Sequence, residues 1–355
     1  MVVNSFLVRL LPFAAMVMLE ILDVGLTTIS KAAMSRGMSH FIFVLYSNAL
    51  ATLILFPSSF IFLRNKRPPI TFPLLCKFFI LSLLGVTIMQ NCVSTGVDYS
   101  SPTLASAMGQ LIPPFTFVLA VTFRMEKLDL KSSKSQIKIL STVVSVLGAL
   151  IIILYKGPPL GPTRAHPVPA PSSMLTAKTS WVIGGLFLVT ASLSLSTSTI
   201  FQAAILKDYP SEITIVSFYC LFGTIQCAIV CLFVVRDPNA WKLRPDVELI
   251  SVIYSAVFGN LVTFVVMAWC IVKKGPVFVA TFKPLGIAIA ALLGVFFLGD
   301  TLHVGSILGA IVIVAGFYGV IWAQSKEEEK DELPKGYKPQ SSSQKTPLLE
   351  THSNA

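Results

Sequence analysis

Phe123-Arg-Met-Glu-Lys-Leu128 returns in the second half of the chain as Phe297-Leu-Gly-Asp-Thr-Leu302. Both read Phe-x-x-acid-x-Leu. Each closes an apolar run of helical length that opens on a proline, Pro102 in one case and Pro276 in the other, and a single shift of 174 superimposes motifs and prolines alike. A shift of 171 places Lys31-Ala-Ala33 on Gln202-Ala-Ala204, and a shift of 168 places Gly148 on Gly316. Any one match between apolar helices is weak, but these keep one order along the chain. They divide it into two copies of one unit.

Each copy holds five apolar runs. In the first they cover about Leu11 to Lys31, Phe41 to Leu63, Leu74 to Val97, Pro102 to Phe123 and Gln136 to Leu154. In the second they cover about Trp181 to Leu206, Ile213 to Val235, Leu249 to Val272, Pro276 to Leu298 and Val304 to Ala323. A helix needs about 20 apolar residues to cross the hydrocarbon core. Long continuous runs, rather than short alternating strands, predict helices and not a barrel. The expected fold is an all-α membrane protein of ten transmembrane helices. Five is odd, so a copy that starts on one side ends on the other, and the second copy must be inverted. Inverted repeats of this kind build secondary transporters with a site near the midplane.

Composition agrees. The 355 residues are 54% hydrophobic and 12% charged, half the charge of an ordinary soluble domain, about 25%. Such a chain cannot coat a water-facing surface of its size, so its main partner is a lipid bilayer. The first run carries Glu20 and Asp23 and lacks a small-residue cleavage site, so it reads as a retained span and not a signal peptide. The units predicted are residues 11–156 and 181–323, joined by a Pro-rich extended linker at 157–180 and followed by a disordered tail at 324–355.

Net charge is +10, yet Lys and Arg lie in short segments between apolar runs, which argues for membrane orientation and against nucleic acid. With the N-terminus inside, cytoplasmic segments hold 18 Lys and Arg and outer segments 8. Both termini are therefore expected in the cytoplasm. The six cysteines fall inside apolar runs without a CxxC pair, and read as small core residues rather than metal ligands. No Asn-x-Ser/Thr sequon marks an outer loop.

Several stretches resemble a known family. In the first half they are Tyr99-Ser-Ser-Pro-Thr-Leu-Ala-Ser-Ala107, Phe115-Thr-Phe-Val-Leu-Ala-Val121 and Phe123-Arg-Met-Glu-Lys127. In the second they are Gln202-Ala-Ala-Ile-Leu-Lys-Asp-Tyr-Pro210, Lys274-Gly-Pro-Val-Phe-Val-Ala280 and Leu298-Gly-Asp300. From about Leu11 to Lys330 the chain resembles the plant walls-are-thin-related, nodulin-like, EamA-like proteins of the drug/metabolite transporter superfamily. Asp300 stands where that pattern usually has Glu, which keeps the charge. The resemblance implies ten spans and transport of amino acids, auxin-like compounds or related metabolites.

Charge inside a span marks candidate chemistry, because a central carboxylate or ammonium costs about 2.5–3.5 kcal/mol on insertion scales. Glu20 and Asp23 share a face of the first span, and Thr27 extends it by one turn. They could bind a proton or a substrate ammonium, or simply fix helix packing. Lys283, well inside the ninth span, precedes Pro284, which removes a backbone donor. It could meet a substrate carboxylate or pair with Glu20 or Asp23. Gln90, Asn91 and Gln110 are the preferred polar lining residues. Pro113-Pro114 should break the helix just after Gln110. Asn48, Asn260, Tyr46 and Trp269 are weaker candidates, since amides and aromatics in a bundle mostly serve packing. Glu126 and Asp300 at span ends suit the start of the following helix, and Thr346-Pro-Leu-Leu-Glu350 is a weak dileucine-like sequence.

The expected function is secondary transport, export or facilitation, of small organic solutes by alternating access; a channel or non-transporting receptor is the alternative. No GxxxxGK[ST] supports ATP drive, and His40, His166, His303 and His352 make no HExxH or other enzyme motif. No cofactor, no metal and no enzyme activity are expected. The plasma membrane is the expected location, with the vacuolar membrane as the alternative, and a homo-oligomer is left open.

Overall fold

A computed structural model describes residues 2–63, 69–100, 102–125, 133–155, 174–293 and 304–332. These form helices α1 (Val2–Ser35), α2 (His40–Leu63), α3 (Phe72–Tyr99), α4 (Pro102–Gly109), α5 (Ile112–Thr122) and α6 (Ser133–Leu154). The second half contributes α7 (Met174–Asp208), α8 (Glu212–Val234), α9 (Val247–Lys274), α10 (Pro276–Thr281), α11 (Lys283–Leu293) and α12 (Val304–Glu332). Among the described residues nine helical stretches are long and apolar enough to cross a membrane, and Ile307–Ala323 within α12 is a shorter apolar one. Two expectations need correction. Helix α7 starts at Met174, inside the linker expected to be extended, and α12 runs to Glu332, past the predicted start of a disordered tail. Ala, Leu, Lys and Glu in these flanks favour continuing a helix already nucleated by the span. Glu126, Asp300 and the dileucine-like sequence lie outside the described residues.

The distribution of polarity is inside out. Leu53, Ile61, Leu140, Leu186, Leu232, Phe233 and Ile311 are exposed, whereas Ser192, Ser194, Ser196 and Ser198 of α7 are all buried. Single exposed leucines are ordinary in a soluble domain, but large apolar side chains over the outside of apolar spans, nine among the described residues, with serines buried inside, fit a lipid-facing surface. The chain is a multi-pass membrane protein.

Helix neighbours repeat between the halves. Helix α1 lies against α9 and α11, as α7 lies against α3, α4 and α5. Helix α2 meets α8 and α9, as α8 meets α2 and α3, and α6 pairs with α12. The α6–α12 contact is reciprocal in detail. Gly148 faces Gly309 and Ile313, while Gly316 faces Ser141 and Ser145. A shift of 168 turns each set into the other. Small residues at a crossing let backbones approach closely, which is how helices gain packing energy in lipid. A Cβ on Gly148 would sit 2.8 Å from the Ile313 nitrogen and 2.9 Å from the Gly309 oxygen. Gly148→Ala should therefore destabilise the fold by about 1–3 kcal/mol. Thermal unfolding in detergent measures this, and an unchanged midpoint would refute the tight crossing.

Two further irregularities repeat. Residues Leu83–Ile88 in α3 and Ser255–Val262 in α9 are π-helical. They centre near Gly85 and Gly259, which the shift of 174 superimposes. A π turn frees backbone carbonyls. In α3 neighbours accept the duty: Gln226 Nε2 donates to the Phe79 oxygen (3.1 Å), Ser198 to Leu81 (3.4 Å) and Ser194 to Leu84 (2.9 Å). The fourth and ninth runs are both broken. Pro113 and Pro114 fall in the first turn of α5, and Pro284 in the first turn of α11, where a missing N–H does no harm. The expected break after Gln110 is present. Ser192 and Ser196 of α7 donate to the Met108 and Ile112 carbonyls at that break, at 2.9 and 3.1 Å.

The core has two main clusters, one toward each end of the bundle. Met16, Leu19, Phe78, Tyr209, Phe218, Phe278 and Phe282 belong to one. Phe43, Val44, Leu45, Cys231 and Val252 form the other, with Leu26, Met34 and Trp241 packed on it. Along α1, Glu20 and Asp23 fall at the junction between them.

Candidate functional site

The junction holds three charged side chains. Lys283 Nζ lies 3.3 Å from Glu20 Oε1 and 3.7 Å from Asp23 Oδ2. The partners differ in environment: the Glu20 side chain is 4% exposed, that of Asp23 51% and that of Lys283 31%. Glu20 is thus the enclosed member, and Asp23 and Lys283 present open faces. With all three ionised the group carries one net negative charge. Helix spacing puts both acids on one side of α1, and the break at Phe282 delivers the lysine to them at the first residue of α11.

Gly286 makes the arrangement fit. It lies one turn beyond Lys283, and a Cβ there would stand 2.5 Å from Glu20 Oε2. The carboxylate occupies the notch a side chain would fill. On the next turns of α1, Gly25 faces the Tyr254 hydroxyl, which reaches the Leu22 carbonyl at 3.4 Å, and Leu26 packs on Gly259 of the α9 π segment. The sequence reading missed Gly286, Gly25 and Tyr254. The only signal was a glycine three residues after an in-span lysine, which is common in membrane helices for other reasons.

Toward the start of α1 the group is closed by rings. Phe278 meets Phe13 edge-on at 5.0 Å and Phe282 at 4.9 Å, and Phe282 meets Phe317 at 4.7 Å. Phe282 is next to Lys283 in sequence, so this apolar floor adjoins the charged group directly.

The other three preferred residues lie elsewhere. Gln90 and Asn91 line a separate small pocket, with room for about one water, together with His40, Phe41, Val44, Cys227, Val230 and Cys231. Asn91 Nδ2 donates to the Thr87 carbonyl at 2.6 Å. Gln110 is buried in the turn between α4 and α5. It donates to the Ser106 carbonyl at 3.3 Å, while its Oε1 is buried with no partner among the described residues. Its turn matches the Phe282–Lys283 break of the second half, so the two broken spans carry different chemistry at equivalent places. Tyr46 donates to the Trp241 carbonyl at 2.7 Å and Asn48 to the Val44 carbonyl at 2.8 Å, both packing roles. Trp269 lines an open groove with Glu212, Ile213, Val265 and Val266. Four cysteines are buried, Cys92 is half-buried and Cys76 exposed, all as free thiols. Among the described residues no cluster of His, Cys, Asp and Glu could hold a metal.

Known proteins agree with this architecture. The model of the EamA-like transporter family matches residues 12–154 and again 182–322. The Arabidopsis thaliana WAT1-related protein At5g40240 is 43% identical over 347 residues, 96% of this chain and 92% of that protein. WAT1-related protein At3g28050 is 41% identical over 361 residues, 98% and 97% of the two chains. Protein WALLS ARE THIN 1 of the same plant is 36% identical over 330 residues, 90% and 85%. A solved crystal structure shares the fold at a TM-score of 0.64 and 13% identity, over 89% of this chain and 99% of its own. The chain belongs to the EamA-like transporter family, and its relatives there are the WAT1-related proteins of plants.

Proposed function

We propose that this chain is a secondary carrier of small organic solutes, amino acids or auxin-related metabolites among them. It works by alternating access through ten spans set as two inverted five-span repeats, residues 11–156 and 181–323. The observation that carries the reading is the Glu20–Lys283–Asp23 group at the junction of the two apolar end clusters. A charged group held at mid-depth, with one acid enclosed and the others open, can exchange an internal ion pair for a ligand's charges or a proton. The reciprocal α6–α12 crossing supports a two-fold between the halves, as an inverted repeat requires. Gln90, Asn91 and Gln110 contribute polar lining in other conformations of the cycle. Both ends of the chain lie in the cytoplasm, at the plasma membrane or, as the alternative, the vacuolar membrane.

The two acids should act unequally. Glu20→Gln removes the enclosed partner that holds Lys283 and should lower the maximal rate more than tenfold. Asp23→Asn leaves the Glu20–Lys283 pair in place and should chiefly raise KM. Counterflow of labelled amino acids and indole acids in vesicles, with and without a proton gradient, reads both. If the double variant carries solute like the parent chain, the charged group is not the site. Unitary currents under voltage, without counterflow, would make the protein a channel.

A further inference from the structure

Two exposed ion pairs join the halves at opposite ends of the bundle. At one end Arg36, after α1, meets Asp246, before α9. The adjoining Met34, Met38, Trp241 and Leu243 pack on the smaller end cluster. At the other end Lys77 Nζ of α3 lies 2.9 Å from Asp208 Oδ2, the last residue of α7. The adjoining Leu74, Phe78, Leu206 and Tyr209 belong to the larger cluster. The two pairs occupy equivalent places. A shift of 172 relates Arg36 to Asp208, and each follows the first span of its half, while Asp246 and Lys77 each stand at the entry to a third span. At both ends the cation comes from the first half and the anion from the second. The central group reverses that order, with Glu20 and Asp23 from the first half and Lys283 from the second.

We infer that Arg36–Asp246 and Lys77–Asp208 are matched latches, one for each end, that set how the carrier divides its time between facing one side of the membrane and the other. The inference rests on the alternating-access reading above. Opening at one end parts the halves there and must separate that end's pair, while the pair at the far end persists. Both pairs are made in this structure, so both ends are latched. Each latch is solvent-exposed, with side-chain exposures of 52% and 52% in one and 43% and 65% in the other. Exposed pairs are individually weak, so each biases the equilibrium by about two- to fivefold and does not lock it. That range suits a gate that must open in every cycle. Because the pairs act at opposite ends, breaking them must have opposite consequences. Two merely structural surface pairs would not behave so.

A thiol placed on the face of Asp23 reports access without any knowledge of the solute. Thr27→Cys, one turn beyond Asp23, is introduced with Cys76→Ser and Cys92→Ser. Its labelling by a membrane-impermeant maleimide is then timed in right-side-out and inverted vesicles. Arg36→Glu should speed labelling from the Arg36 face about two- to fivefold and slow it from the other; Lys77→Glu should do the reverse. The exchanged pairs, Arg36→Asp with Asp246→Arg and Lys77→Asp with Asp208→Lys, should restore the parent rates. Labelling from both faces that either reversal leaves unchanged, or that both move in the same direction, overturns the latches and spares the transport reading. Labelling from one face only or from neither, in every variant, shows that access does not alternate and removes both.

Discussion

Lys283→Ala is expected to reduce transport by more than a hundredfold and to lower thermal stability in detergent. The substitution leaves Glu20, 4% exposed, without the ammonium 3.3 Å away. Removing one partner of a buried pair is far more harmful than removing both, because the survivor remains charged and enclosed. The stability loss should be of the order of 3 kcal/mol, the low end for such pairs, since Lys283 itself is 31% exposed and water screens part of the effect. Two measurements separate stability from function. Lys283→Met combined with Glu20→Gln should recover most of the unfolding temperature, because a neutral amide beside a thioether has no charge to solvate. The same double variant should stay inactive in counterflow. A double variant that recovers both would reduce the pair to a packing device.

Gly286→Val should be nearly as severe for transport while altering no charge. A Cβ at this position would stand 2.5 Å from Glu20 Oε2, closer than real Cβ atoms come to an oxygen. Either the carboxylate leaves its notch and gives up Lys283, or α11 moves away from α1. Each outcome should reduce the rate about 10- to 100-fold, since a displacement near 1 Å at a binding group has effects of that size. Gly286→Ala should lie between the parent and valine. In the Glu20→Ala background the penalty of Gly286→Ala should largely vanish, because the clashing atoms are gone and contacting residues are not additive. A penalty that persists in that background would show that Gly286 serves helix packing instead of the carboxylate.

How much of this was visible beforehand differs by feature. The spans were readable because lipid imposes one requirement on every residue of a stretch, and a summed hydropathy averages out local error. Their ends were not: α7 begins at Met174 and α12 ends at Glu332, where water accepts helix and coil almost equally and intrinsic helix preference decides. The break after Gln110 was readable because proline acts locally on its own backbone. The π segments at Leu83–Ile88 and Ser255–Val262 carried no such local mark; in α3 the freed carbonyls accept from side chains of α7 and α8, which lie far away in the chain.

The candidate site divides along the same line. Glu20, Asp23 and Lys283 stood out in the chain itself, because an ion in an apolar run is unfavourable wherever the run lies. Amides are tolerated in many surroundings, so Gln90 and Asn91 could not be assigned a neighbourhood, and they proved to line a different pocket beside His40. What the chain alone determined was its solvent, its approximate spans, its duplication and which charges needed partners, all consequences of residue chemistry acting locally or summed over a window. What only the tertiary structure decided was which partners meet. The Glu20–Lys283 pair, the Gly286 notch and the two end pairs join residues far apart in the chain, and their contact depends on how helices cross, which no local preference encodes.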